Sequence, residues 1–226
     1  MTFPVVEDIA TASGGGTSQS VVFSTIGLTV NSGERLVCLA SHDGLPTVTL
    51  NTSGFTEHYN AGNSTHNYGM WSKVADGTET QMDFSLSASE DGAYILFTVS
   101  GDDGFELSSV VEGSGTDTPN PPSFTPSFGS GDHLWAAVEM NDRARSITTY
   151  PTDYSGNQTN QVTGGSSGAA CGIAFRSIAA ATQDPGVFDL NNNDEWAALT
   201  LAFQGTGGGG GLSIPVAQRS YRNMRA

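Results

Sequence analysis

The sequence predicts an all-β protein, a jelly-roll-type antiparallel β-sandwich of about 10–12 strands built from two sequence-related halves. Three observations lead to this fold class. Short apolar runs recur about every 8 to 15 residues and are separated by Gly, Pro, Asn and Asp. The chain holds 29 glycines and only 14% charged residues, as expected of a protein rich in turns. A long internal repeat divides the chain into two similar halves.

Twelve segments have the alternating or short apolar pattern of strands. Those of the first set are Ser20–Val30, Arg35–Ala40, Thr47–Leu50, Tyr68–Val74, Gln81–Leu86 and Ala93–Ser100. Those of the second set are Phe105–Val111, His133–Glu139, Ser146–Tyr150, Ala170–Ile178, Gly186–Leu190 and Trp196–Phe203. The connections DGLP, ADGT, SEDG and SGDDG have the composition of turns. The one helical candidate, Ile178–Thr182, is too short to be stable alone.

The repeat aligns residues 20–101 with residues 118–205. NSGERL, which begins at Asn31, matches GSGDHL, which begins at Gly129. Asp43 then matches Asp142, and ASEDGAYILFTVSG matches NNNDEWAALTLAFQG. Two such halves close one shared core if they pack face to face. The alternative is a pair of separate small sandwiches joined near Gly113–Pro122, and we favour the single body.

Charge is distributed unevenly along the chain. Residues 1–206 carry all 23 acidic side chains and five basic ones, a net charge of −18. Residues 207–226 carry three arginines and no acid. Five consecutive glycines, Gly207–Gly211, separate the two parts and disfavour ordered structure between them. The sequence therefore predicts a body (residues 1–206), a polyglycine linker (207–211) and a basic C-terminal arm (212–226).

The arm has two possible interpretations, a disordered end or a segment that becomes ordered on a partner. Apolar residues favour the second, because purely solvated tails rarely carry them. The candidate partner-binding residues are Leu212, Ile214, Val216, Arg219, Tyr221, Arg222, Met224 and Arg225.

Composition excludes several function classes. A net charge of −15 disfavours binding to nucleic acid and to anionic membranes, both of which attract basic surfaces. No apolar run reaches the length of a membrane span, and the first residues lack the pattern of a secretory signal. Cys38 and Cys171 lie in apolar runs, so we expect buried free thiols in a reducing cytoplasm.

No catalytic, cofactor or metal site is predicted. The chain has no GxSxG elbow, phosphate-binding loop, dinucleotide fingerprint or HExxH motif. Asn191–Glu195 resembles a Ca²⁺ loop, but it lacks the spacing of such loops and its repeat partner is a hairpin. His66 is expected in a solvated loop. Trp71, Trp135 and Trp196 are expected in the core. We therefore expect a protein that is not an enzyme.

The body resembles a family of short all-β virion proteins of tailed phages, especially those from marine sources. The motifs that carry the resemblance are SGERLVCLASHDGLPTVTL, WSKVADGTET, SASEDGAYILFTVSG, TPNPPSFTPSFGSGDHLW and DEWAALTLAFQG. They extend over about residues 17–205, and a Gly-rich linker before a short Arg-containing tail is similar too. The resemblance implies a virion structural protein with a jelly-roll-type fold. Some similar proteins are decoration, or cement, proteins that form trimers on the head shell.

The expected function is therefore that of a capsid decoration protein, a homotrimer on the capsid surface that is assembled in the host cytoplasm. Its expected partner is the major capsid protein or another virion protein. The alternative is a head-fibre or tail module that binds host glycans through loops at one end of the sandwich. A decoration protein needs no chemistry, only a rigid body and contact surfaces, and the acidic body with its basic arm fits that role.

Overall fold

Two six-stranded antiparallel sheets form the core of the protein. The structure, a computed structural model, describes residues 2–165 and 168–206. Its elements are β1 (Val5–Val22), α1 (Phe23–Ile26), β2 (Arg35–Asp43), β3 (Val48–Leu50), β4 (Thr56–Gly62), β5 (His66–Val74), β6 (Gln81–Ser100), β7 (Asp102–Leu107), β8 (Val111–Thr116), β9 (Gly131–Asn141), β10 (Ile147–Thr149), β11 (Gly156–Thr163), β12 (Ala169–Ala180), β13 (Asp189–Leu190) and β14 (Asp194–Gly205).

The two sheets have the same strand order. The first is β1-β6-β2-β5-β4, with β3 also paired to β6. The second is β11-β12-β9-β14-β7, with β8 also paired to β14. Strands β2, β4, β5 and β6 thus correspond to β9, β11, β12 and β14, and the place of β1 is shared by β7 and β8. The predicted all-β sandwich of two related halves is confirmed.

One central core joins the two sheets. Val37 and Ile95 of the first sheet pack in the same cluster as Val138, Ile173 and other residues of the second sheet. The ring of Phe97 makes edge-to-face contacts with the rings of Phe175 and Phe203, at centroid distances of 5.2 and 6.1 Å. Both sheets therefore bury one face against each other, as expected for the single body rather than for two separate sandwiches.

Each sheet is also covered on its outer face. Next to the central-core residues Val37 and Leu39, the alternate residues Leu36 and Cys38 belong to a second cluster with Trp71 and others. The second sheet has its own outer cluster around Trp135, Tyr154 and Phe188. Strands that are buried on both faces consist of continuous apolar runs instead of alternating apolar and polar residues. This burial explains sequences such as LVCLA and AACGIAF.

The outer layer of the first half is made by its two longest strands. Strands β1 and β6 pair along most of their lengths, with a register shift between Gly16 and Ser18. Beyond this shift, Val21 and Phe84 pack in the outer cluster with Leu36. Segment SEDG, predicted as a turn, lies inside β6 because its residues pair with β1. The Asp102-Asp103-Gly104 segment is likewise part of β7, and the bend is made by Gly101.

Other boundaries differ from the predicted ones for identifiable reasons. Strand β1 begins at Val5, so the first half starts before residue 20. The predicted strand Phe105–Val111 is divided into β7, which begins at Asp102, and β8, which extends to Thr116; both lie in the second sheet. The predicted strand Ser20–Val30 ends at Val22 and is followed by α1, which Gly27 terminates at φ 75°. The predicted helical candidate Ile178–Thr182 instead continues β12 as far as Ala180.

Two edge strands, β4 and β11, were not predicted from the sequence. Both consist mainly of polar residues and therefore lack the apolar pattern of the other strands.

We predict that Phe97→Ala lowers the free energy of unfolding by about 3–5 kcal/mol, because the substitution removes a buried ring from the core that both sheets share. Urea denaturation should show one transition, with amide hydrogen exchange in β5 and β12 accelerated together. Val187→Ala is the control, since Val187 is 42% exposed. Loss of protection in one sheet alone would show that the halves are independent.

Candidate functional site

The first and last described residues lie side by side at one end of the sandwich. The hydroxyl oxygens Oγ1 of Thr2 and Thr206 are 2.9 Å apart. The linker Gly207–Gly211 and the predicted arm, residues 212–226, follow Thr206 directly. The eight candidate partner-binding residues, from Leu212 to Arg225, all lie outside the described residues. This end of the body is nonetheless where the arm is attached, so its surface is the first candidate for a functional site.

A groove of about 680 Å³ opens at this same end. It lies between β1 and β11, which are edge strands of different sheets. Its apolar lining consists of Phe3, Pro4, Val5, Val6, Leu134 and Phe175. Phe3 is 37% exposed and Val5 is 51% exposed, although both are large apolar side chains. The groove therefore offers apolar surface to a partner beside the point where the arm begins.

The opposite wall of the groove is polar and has an unusual backbone. Asp153 and Asn157 have φ angles of 69° and 42°, in the left-handed region that Asp and Asn tolerate better than other non-glycine residues. Asp153 forms an ion pair with Arg176, whose Nη2 atom lies 3.3 Å from Oδ2. All three residues line the groove. The groove therefore has charged and amide groups on this wall and apolar side chains, including Leu134, on the other.

The groove lies where an edge of one sheet meets an edge of the other. The molecule has a second such place, and strand pairing identifies it as the counterpart of the groove. In the first sheet, Val99 pairs with Val6 on one side and with Arg35 on the other. In the second sheet, Phe203 pairs with Phe105 and with Leu134. Val6 is therefore the counterpart of Phe105, and Leu134 is the counterpart of Arg35. The match of NSGERL with GSGDHL is wrong by one residue here, because it aligned Leu134 with Leu36, which faces the outer cluster rather than the central core. We call the region between β1 and β11 the open seam, and its counterpart between β4–β5 and β7 the filled seam.

In the filled seam, the equivalent space is occupied by large side chains. The ring of Phe105 contacts that of His58 at a centroid distance of 5.3 Å, and the Arg35 guanidinium lies 5.4 Å from its centre. Arg35 Nε also donates a hydrogen bond of 2.7 Å to Asp102. Farther along, the Tyr59 hydroxyl donates to the carbonyl oxygen of Ser108. The open seam holds the smaller Val6 and Leu134 at these positions, and its groove results from that difference.

Carboxylates gather at the far end of the body. Ligand atoms of Asp142, Asp194 and Glu195 lie within 4.8 Å of one another. Arg145 balances part of this charge through a 2.8 Å hydrogen bond from its Nε to Asp194. Burial and the neighbouring carboxylates of Asp194 and Asp43 raise the pKa of Asp142 to about 6. The chemistry available here is proton binding or cation binding, and no second feature of the described residues directs an ion to the cluster.

An acid related to Asp142 by the repeat lies beside this cluster. Asp43 is the counterpart of Asp142, and the two side chains interact across the sheets. Burial raises the pKa of Asp43 as well, with Asp91 nearby as a further negative charge. The repeat alignment had grouped Asn191–Glu195 with a hairpin. It did not reveal that Asp194 and Glu195 meet Asp142, because the pairing of β14 with β9, strands distant in sequence, brings them together.

A second acid, Glu139, is enclosed entirely inside the second half. Asn141 Nδ2 donates a 2.9 Å hydrogen bond to its Oε2 atom, whereas Oε1 has no partner among the described residues. Burial raises the pKa of Glu139 to about 8. Its counterpart in the first half is Ala40, which lies in the apolar outer cluster. The site is closed to substrate, because Glu139 is 0% exposed.

The histidines, tryptophans and cysteines test the burial that the sequence predicted for individual residues. His66 is buried at the start of β5 instead of lying in a solvated loop, and burial lowers its pKa to about 3. The three tryptophans are buried, as predicted, and Cys38 and Cys171 are buried free thiols. The four-residue α1 is far too short for a membrane span, and the described part of the chain contains no helix that qualifies as one.

The groove residues Phe3–Val6 were missed by the sequence analysis. A signal was present, because FPVV precedes a run rich in β-branched and small residues, but no repeat partner supported a strand there. Comparison with known proteins adds no relative: no family model matches the chain, and neither the curated proteins nor the solved structures contain a match.

We predict that Asp142→Asn stabilises the protein above pH 6. The folded state binds the Asp142 proton more tightly than the unfolded chain, so its contribution to stability falls as pH rises from 3.8 to about 6. The variant should gain about 1 kcal/mol at pH 8, a value reduced for solvent screening, and almost nothing at pH 3.5. Urea denaturation at both pH values measures this. A gain that is equal at both would contradict the electrostatic explanation. Asp132→Asn, outside the cluster, is the control.

We predict a wider pH dependence for Glu139→Gln. Stability of the native protein should fall between pH 4.5 and about 8, because Glu139 must lose its proton inside the core. The amide variant should remove that dependence and exceed the wild type by more than about 1 kcal/mol at pH 9. Thermal or urea unfolding across this range provides the measurement. A constant difference between variant and wild type would indicate a packing effect alone.

Proposed function

We propose that the chain is a virion structural protein of a tailed phage, specifically a decoration protein that stabilises the head shell through non-covalent contacts. The observation that carries the proposal is the position of Thr206 beside Thr2 at the end that contains the groove. A rigid body, an exposed apolar surface and the attachment point of a basic arm therefore coincide. The family resemblance of the sequence adds support, and its motifs include strands of both sheets together with the connection between β8 and β9.

The architecture suits a protein that acts by contact alone. Both sheets are covered on both faces, so the body buries a central core and two outer clusters. Ion pairs join β2 of the first sheet to β7 of the second (Arg35–Asp102) and the loop after β9 to the start of β14 (Arg145–Asp194). Such a body keeps its shape while its surface is bound to a neighbour. Stability, rather than a reacting group, is the property that a shell-bracing subunit requires.

The arm provides the expected contact with the major capsid protein or another virion protein. Its three arginines and its apolar residues contrast with a body that carries 23 acidic side chains. A body held on the shell keeps the arm at high effective concentration near its target, and three arms in a homotrimer multiply this effect. The proposed location is therefore the capsid surface.

The experiment measures binding to shells assembled from the major capsid protein encoded in the same phage genome. The full chain should saturate the shells, and light scattering should give the mass of a trimer. A variant lacking Leu212–Ala226 should bind at least about 100-fold more weakly, because the contribution of the tethered arm is lost. A variant with the residues of the arm in scrambled order controls for charge and length.

The outcomes separate the proposal from its alternative. Occupancy of hundreds of copies per virion is expected of a decoration protein, whereas a head-fibre or tail module that binds host glycans would be present in tens. Absence of binding to shells, together with a hit on a glycan array, would overturn the proposal. Unchanged binding after deletion of the arm would retain the decoration role but remove the arm as its anchor.

A further inference from the structure

We infer that the C-terminal segment Leu212–Val216 of the chain docks in the open-seam groove of its own body. The groove lies between the edge strands β1 and β11 and is lined by Val6, Leu134 and Phe175 on its apolar side. This inference does not rest on the proposed function, because it concerns the isolated chain. It follows from the asymmetry of the two seams, from the point where the described chain ends and from the pattern of the segment.

The difference between the open seam and the filled seam shows that the groove lacks large side chains. Its counterpart, the filled seam, holds the Phe105 ring between His58 and Arg35. The open seam has Val6 and Leu134 at the positions of Phe105 and Arg35, so side-chain volume is missing from an otherwise equivalent place. The consequence is that Phe3 and Val5 remain exposed. Apolar side chains brought in from another segment would bury them and restore the packing of the other seam.

The end of the described chain lies within reach of the groove. Thr206 contacts Thr2, and Phe3, the next residue, already lines the groove. Five residues, Gly207–Gly211, separate Thr206 from Leu212, and the six steps along the chain span at most roughly 20 Å when extended. All five are glycines, which can follow almost any backbone path. A segment tethered so closely has a high effective concentration at the groove of its own body, which favours it over the arm of a second copy.

The sequence of the segment fits an edge position. In Leu212-Ser213-Ile214-Pro215-Val216, apolar residues alternate with Ser and Pro, which places Leu, Ile and Val on one face of an extended strand. Proline has no N–H group to donate, so it suits an outer edge rather than the middle of a sheet. The unpaired sides of β1 and β11 can accept such a strand, with its apolar face directed at Val6 and Phe175.

Cysteine cross-linking of the full chain tests the contact. Val5→Cys combined with Ile214→Cys should form an intramolecular disulfide under mild oxidation, because docking brings the two residues within the few ångströms that the bond requires. Val187→Cys combined with Ile214→Cys is the matched control, since Val187 is also exposed but does not line the groove. Cys38 and Cys171 are buried and do not compete.

Three outcomes are informative. Cross-linking within one chain, at least tenfold faster for the Val5 pair than for the Val187 pair, supports the inference. Cross-linking between chains overturns it in favour of a second copy as the donor of the segment. Equal rates for the two pairs overturn it as well, because they indicate random encounters of the arm with the surface.

Hydrogen exchange provides a measurement without cysteines. Amides of residues 212–216 in the wild-type chain should exchange at least tenfold more slowly than those of an unstructured peptide of the same sequence. Val5→Lys, a substitution at an exposed edge, should abolish this protection, whereas Val187→Lys should preserve it. Protection absent from the wild type, or unaffected by Val5→Lys, would contradict the inference. Shell binding plays no part in either experiment, so failure here leaves the proposed function to be judged separately.

Discussion

Packing of two related sheets against each other is the interaction on which the rest of the structure depends. Phe97 of one half lies between Phe175 and Phe203 of the other, within a cluster of buried residues drawn from both. Neither sheet could leave this face exposed to water, because it consists of large apolar side chains. The relative position of the sheets in turn determines which edges meet, and therefore where the seams form.

Duplication creates equivalent positions in the two halves. Positions at which the two halves carry different residues are candidates for function. The core positions remain apolar in both halves, since they pack against each other. At the seams the halves have diverged: Phe105 and Arg35 fill one, whereas Val6 and Leu134 leave a groove in the other. The acidic counterparts Asp43 and Asp142 meet across the sheets and make the opposite end of the body sensitive to pH. Divergence has thus made the two seams different, whereas an acid that both halves retain dominates the opposite end.

A phage decoration protein with these features would use its two parts for different tasks. In the proposed role, the body, covered on both faces of each sheet, would keep its shape, and the arm would make the contact with the shell. If the arm rests in the groove of the free subunit, its apolar residues are shielded before assembly.

The sequence alone determined the fold class, the duplication and the division into acidic body and basic arm, because hydrophobic periodicity, turn residues and charge are local properties of the chain. It also placed the tryptophans and cysteines in the core, since their neighbours are apolar. Polar edge strands such as Thr56–Gly62 were not detected, because their stability comes from pairing with a neighbour rather than from their own pattern. The groove and the meeting of Asp142 with Asp194 were decided by tertiary structure alone. Each joins segments more than 50 residues apart. No local pattern encodes which edges of two packed sheets will face each other at the groove, or which distant strand, here β14, will pair with β9 beside Asp142.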